Sequence, residues 1–145
     1  MNGIDNVEPK EKWEFDKNVT DAFDDMLKRS IPQYDLMRSS VTDLAKRYMM
    51  NCMGGYKIVD LGCSRGEAIA PLIEEGYEYI GVDSSTAMVE TATERFEDQA
   101  YVDILEMDLR KEFPEASGSV IILSILTIQF TPIEYRLHIL KKIYD

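Results

Sequence analysis

Apolar positions along the chain follow two spacings. From Val19 the spacing is helical, with Val19, Phe23, Met26 and Leu27 at i, i+4, i+7 and i+8. Pro32 disfavours helical backbone at Ile31, which predicts a stop near Ser30. A second helix follows, with Met37, Val41, Leu44 and Tyr48 on one stripe, and Gly54-Gly55 ends it. Beyond that point short β-type runs alternate with helical ones. Tyr56–Gly62 is a strand that meets a glycine, and 66–75 reads as a helix with Ala68, Ile69, Leu72 and Ile73 apolar. Glu78–Asp83 is a second strand. Ser84 or Ser85 caps a helix that carries Met88, Val89, Ala92 and Phe96. Tyr101–Asp108 is a third strand. Ser119–Leu126 is a fourth, apolar almost throughout, as in a strand buried on both faces. Thr131-Pro132-Ile133-Glu134 reads as a helix start, with a Thr cap, Pro at the first position and Glu at the third. That helix carries Leu137, Leu140, Lys141 and Tyr144.

Strands separated by helices predict a parallel α/β sheet. Its ligands bind beyond the carboxyl ends of the strands, at the switch point. Residues 1–17 are charged and aperiodic and are expected to form a loose tail, with Trp13 and Phe15 able to tack it onto a single domain over 18–145. The length of 145 residues suits one domain. An apolar content of 45% argues against disorder.

Charge narrows the partners. With 16 basic and 27 acidic residues the net charge is −11, which argues against direct binding to a nucleic-acid backbone. Cys52 and Cys63 make no disulfide framework and match no zinc spacing. The start lacks a basic region followed by an apolar one, and the longest apolar run, Val120–Ile128, is far too short to span a membrane. Together these favour a soluble protein of the reducing cytoplasm.

The strand ends carry the candidate chemistry. In Val59-Asp60-Leu61-Gly62-Cys63-Ser64-Arg65-Gly66 a strand runs into a glycine turn, and a helix is expected to open at the second glycine. Glycine permits the tight turn and close approach of a ligand to the backbone. The run is not GxGxxG, so it supports a dinucleotide only weakly, and an ordinary α/β turn also uses glycine. Asp83 ends the second strand 21 positions after Gly62. That placement suits a ribose diol, since one carboxylate accepts from both hydroxyls; the alternative is a helix cap before Ser84. Asp108, between Met107 and Leu109, ends the third strand, where it fits either a base edge or a solvated turn. Together the three segments describe a nucleoside pocket. His138, the single histidine, lies mid-helix beside apolar residues, and Cys63 reads as a small turn residue, so nucleophilic catalysis is not expected. No metal site is indicated, and the eight methionines read as core filler.

The phrases VDLGCSRG, GVDSS and EMD at successive strand ends resemble the first three motifs of class I S-adenosylmethionine-dependent methyltransferases. Within that superfamily the chain is most similar to the carboxy-S-adenosylmethionine synthases, which make the carboxymethyl donor for wobble-uridine modification in tRNA. RSIPQY (Arg29–Tyr34) and LTIQF (Leu126–Phe130) carry this likeness, which covers residues 15–145. The resemblance implies a Rossmann-like methyltransferase fold with strand order 3-2-1-4 behind two N-terminal helices. It implies that Asp60, Gly62, Cys63, Ser64 and Gly66 hold the methionine part of the donor. It further implies that Asp83 and Ser84 meet the ribose, that Asp108 and Leu109 border the adenine, and that Tyr34 closes over the donor. The cofactor is then S-adenosyl-L-methionine, its homocysteine product or the carboxylated donor.

The superfamily's loop usually has glycine where this chain has Ser64, but the carboxy-S-adenosylmethionine synthase subfamily has DLGCS-x-G there. Two departures stand out. The subfamily has an asparagine in its fourth strand where this chain has Ile125, with Ser124 beside it. The pattern also stops after the fourth strand and its helix, short of the family's fifth strand. The half beyond would carry the subfamily's arginine for the donor's added carboxylate and its prephenate contacts. The expectation is therefore a piece of a longer protein or a truncated relative, either a transferase domain with an unnamed acceptor, a carboxy-donor synthase, or a non-catalytic nucleoside binder. The run Val120–Leu123 at a sheet edge predicts self-association, and the subfamily's enzymes are dimers.

Overall fold

The structure is a computed structural model and describes residues 17–52 and 54–144. The expected tail falls outside the described residues except for Lys17, which opens the first helix. Helices α1 (Lys17–Ser30) and α2 (Tyr34–Asn51) precede strand β1 (Lys57–Leu61). There follow β2 (Glu78–Asp83), α3 (Thr86–Arg95), β3 (Val102–Glu106), β4 (Ser119–Leu123) and α4 (Ile133–Tyr144). The four strands form one parallel sheet in the order β3-β2-β1-β4. This is the sheet that the resemblance implies.

β1 is central and completely buried, and its side chains alternate between two cores. Ile58 packs with Ala45 and Met49 of α2 and with Ile69, Leu72 and Phe96. Val59 and Leu61 pack on the other face with Val82, Ile122 and Ile143 of α4. Each such aliphatic side chain contributes about 1.5–3 kcal/mol through burial. The Nζ of Lys57, itself buried, donates to the carbonyls of Glu115 and Ser117, each at 3.2 Å, and so pins the loop that leads into β4.

Three expectations need correction. Residues 66–75 do not form an α-helix; they make turns and one 3₁₀ turn at Ala70–Leu72. Pro71 has no amide hydrogen to give an α-helical bond, and the local bond instead runs from Leu72 N–H to the Ile69 carbonyl at 2.8 Å. Tyr79 braces this turn, donating its hydroxyl to the Leu72 carbonyl and accepting from Glu74 N–H at 2.9 Å. The buried stripe of α2 is Tyr34, Ala45 and Met49, whereas Leu44 and Tyr48 are exposed. β4 is half-buried along most of its length, because among the described residues only β1 pairs with it. A register shift between Lys57 and Ile58 leaves Val120 without a partner residue on β1.

Candidate nucleoside-binding site

The carboxyl ends of the four strands open into one cavity of about 370 Å³, within the usual range of small-molecule pockets. The β1 loop supplies Asp60, Gly62, Cys63 and Ser64, and the end of β2 supplies Val82, Asp83 and Ser84. Met107, Asp108, Leu109 and Arg110 follow β3, and Ile125, Leu126 and Thr127 follow β4. Phe23 and Leu27 of α1 and Tyr34 and Arg38 of α2 form the remaining wall.

The first loop is held by steric fit and by one carboxylate. Gly62 has φ +76°, and a Cβ there would collide with the Thr127 side chain. Thr127 Oγ1 donates to the Leu61 carbonyl at 2.7 Å, so the β4 segment lies directly against the turn. Gly66 has φ +78°, and a Cβ would strike the Phe96 ring. Ser64 adopts the left-handed backbone that glycine usually provides, with φ +50°. The cost is offset by a bond from its N–H to Asp83 Oδ2 at 3.0 Å. Asp83 Oδ1 accepts from Ser85 N–H at 2.9 Å. Burial pushes the Asp83 carboxyl up from its ordinary value, and the amides of Ser85, Ser64 and Ser84 act against that rise. The N–H bonds leave lone pairs on both oxygens, so the group can still accept from a diol.

Asp60 is fully buried, and burial pushes it up to about 7; Arg38 opposes this, while Asp83 and Glu67 add to it. Burial likewise drives the Cys63 thiol upward, so it stays protonated, as a turn residue would. At β3 the environment reverses. Arg110 grips Asp108 through Nε–Oδ1 at 2.8 Å and Nη2–Oδ2 at 2.7 Å, with Lys111 Nζ 3.7 Å away. These contacts lower Asp108 to about 2. A separate network ties α1 to the loop, with Arg65 pairing with Asp24 at 2.6 Å and with Glu67 at 3.0 Å.

Of the residues expected at the site, all but Gly66 and Ser124 line the cavity. Gly66 serves the packing on Phe96 instead. Ser124 is not part of the lining, and its buried hydroxyl has no partner among the described residues; its neighbour Ile125 is part of the wall. Sequence reasoning did not single out Phe23, Leu27, Arg38, Glu67, Thr127 or Arg110. For Arg38 a signal exists, since it stands one helical turn after Tyr34. Among the described residues no group of three or more His, Cys, Asp or Glu is arranged to hold a metal ion.

A family model described as a methyltransferase domain matches residues 58–145. The chain belongs to this methyltransferase-domain family. A carboxy-S-adenosyl-L-methionine synthase of Photobacterium profundum is 37% identical over 99% of this chain and 62% of its own length. A synthase of the same name from Glaesserella parasuis is 37% identical over 90% of this chain and 55% of its own length. The chain therefore spans little more than half the length of these curated relatives. Among solved structures, the Synechocystis magnesium protoporphyrin IX methyltransferase with bound SAH superposes with a TM-score of 0.64. It is 17% identical and covers 89% of this chain and 64% of its own, a likeness of fold.

Proposed function

We propose that this methyltransferase domain binds S-adenosyl-L-methionine or its homocysteine product, and that the protein containing it transfers a group from the sulfonium to an acceptor. The observation that carries the reading is the Asp83 carboxylate at the end of β2, half-buried beside the glycine loop and bonded to the amides of Ser64 and Ser85. That position suits the ribose of a nucleoside. In this reading the loop from Asp60 to Ser64 holds the methionine part, Ser84 assists at the ribose, Asp108 and Leu109 border the base, and Tyr34 covers the donor. The sulfonium is already activated, so the protein's task is positioning, and a nucleophilic side chain is not required.

The similarity to carboxy-S-adenosyl-L-methionine synthases favours a second reading, synthesis of the carboxylated donor for tRNA modification. Ile125 at the cavity wall is the departure that bears on it. Mass spectrometry of the nucleoside that co-purifies with the chain tests the donor reading, and turnover with prephenate separates the two readings. Recovery of no adenosine derivative, together with no affinity for S-adenosylhomocysteine, would reject both.

The exposed Ile133, Leu137, Leu140 and Tyr144 form one stripe on α4, and among the described residues no strand pairs with the outer edge of β4. These support self-association of this chain through α4 and β4. A monodisperse monomer in sedimentation at micromolar concentration would reject it. No helix among the described residues is long and apolar enough to cross a membrane. The free thiols Cys52 and Cys63 support a reducing, cytoplasmic setting, and the charge of −11 weighs against direct nucleic-acid contact.

A further inference from the structure

Strained backbone in this chain collects around the cavity. Among the described residues three that are not glycine have positive φ: Gln33 at +55°, Ser64 at +50° and Leu126 at +56°. Ser64 and Leu126 line the cavity, and Gln33 directly precedes Tyr34 in the same wall. All three crowd their Cβ against the backbone, and Leu126 alone of them has no polar side-chain group to bond locally in return. The strain has a visible product. Successive side chains of an extended strand alternate between two sides, yet Ile125, Leu126 and Thr127 all line the cavity. The turn at Leu126 ends the alternation of β4 and lays three consecutive residues along the ligand space.

This corner is gripped on both sides. Thr127 Oγ1 lies 2.7 Å from the Leu61 carbonyl and 3.2 Å from the Ile125 carbonyl, so its one proton goes to the end of β1. The Thr127 side chain also fills the space that a Cβ on Gly62 would need. Beyond the corner, Arg136 of α4 donates from Nη2 to the Gln129 carbonyl at 3.1 Å and from Nε to the Thr131 carbonyl at 2.8 Å, which fixes the 3₁₀ turn at Ile128–Phe130. A strained residue persists only where its surroundings over-determine it, and such strain gathers at working sites. In the donor reading above, the methionine part lies on the Gly62 loop and the ribose at Asp83. The sulfur that joins them then passes the Gly62 turn, against which Thr127 is packed. We propose that the corner Ile125–Thr127 positions the sulfur-bearing end of the donor, with Thr127 as the positioning residue that holds Leu126 in its strained turn. This rests on the donor reading and goes beyond it, by adding a wall that acts through backbone geometry.

The test uses the full chain, with S-adenosylhomocysteine and adenosine as calorimetric probes and thermal melting as the measure of stability. Adenosine carries the ribose and base but neither the sulfur nor the methionine part. Thr127→Val keeps the shape and loses the hydroxyl; it should weaken S-adenosylhomocysteine about tenfold and change adenosine by no more than about threefold. Thr127→Ser keeps the hydroxyl and should restore most of the loss. Leu126→Ala and Leu126→Gly both remove the leucine side chain beyond Cβ, and only glycine relieves the backbone. The glycine variant should therefore melt above the alanine variant, the reverse of their order at an ordinary position. It should nonetheless bind S-adenosylhomocysteine more weakly than the alanine variant by about threefold or more, because its corner is free to leave the strained turn. Adenosine binding also reports whether each variant is folded, and if Thr127→Val does not fold the Leu126 pair decides alone. Alanine melting above glycine would overturn the strain. Equal affinity for S-adenosylhomocysteine in the two Leu126 variants, or wild-type affinity in Thr127→Val, would overturn the positioning role and leave the donor reading standing. Equal losses for both probes would reduce Thr127 to a structural residue. If the unaltered chain binds neither probe, the donor reading itself fails and the positioning role with it.

Discussion

The carboxylates at the centre of the sheet and the one at its rim illustrate opposite ways of preparing an acidic group. Asp60 is the last residue but one of β1 and Asp83 ends β2, the two inner strands, and burial pushes both upward from the ordinary carboxylate range. Asp108 follows the outer strand β3, is partly open to solvent, and is held low by Arg110. The inner pair is strained by loss of water and gains from a ligand that restores hydrogen bonds or brings positive charge. The rim residue is already paired, so a ligand must compete with Arg110. The difference teaches that selectivity for a nucleoside of this type is concentrated at the inner end of the cavity, where an unmet polar group is most costly.

The largest effect that would sharpen this comparison is on stability. Asp60 sits at about 7 in the folded chain against an ordinary 3.8. A raised carboxyl binds more protons folded than unfolded, so its contribution is greatest below the ordinary value and is lost as pH climbs through 7. Relative to Asp60→Asn, the unaltered chain should lose on the order of 3 kcal/mol between pH 5 and pH 8 in urea denaturation. Parallel pH profiles for the two chains would remove Asp60 from the account. Asp108 predicts the opposite sign, with stability lost only as pH falls toward its value of about 2.

Next in size is ligand affinity at β2. Asp83→Ala should weaken S-adenosylhomocysteine about ten- to hundredfold by calorimetry, more than any other single carboxylate change among the strand-end loops, since a hydrogen bond to a charged group contributes about 1.5–3 kcal/mol. Asp83→Asn keeps the shape and should lose less. Wild-type affinity in the alanine variant would retire the ribose assignment.

The smallest effect belongs to the rim. Asp108→Ala should reduce affinity for adenine nucleosides by less than about tenfold, because removing it also frees Arg110. Glu106→Ala, two residues earlier and exposed at the end of β3, should have no effect. Equal losses for the two would mean that general negative charge matters and position does not.

Much of this site was legible before any coordinates, for local reasons. The run from Val59 to Gly66 declares a strand meeting a glycine turn, and Asp83 stands where a second strand must end. Those features depend on backbone alternation and on φ above zero, both readable from neighbours in sequence. The helix expected over 66–75 failed on Pro71, whose missing amide outweighed the apolar spacing around it. The α2 stripe failed differently. Leu44 and Tyr48 have a perfectly helical spacing, yet Tyr34, Ala45 and Met49 take the buried face.

By itself the sequence determined the alternation of strands and helices, the parallel sheet, and the residue types at three strand ends, because each follows from short-range periodicity and turn chemistry. Only the tertiary structure decided which face of α2 looks inward, and with it that Arg38 lines the cavity with Asp60, and that Ile125 lines it while Ser124 does not. The same packing set the inner carboxylates high and the rim carboxylate low. These outcomes depend on which surfaces exclude water from which groups, and that is set by neighbours distant in sequence, such as the Thr127 side chain against Gly62.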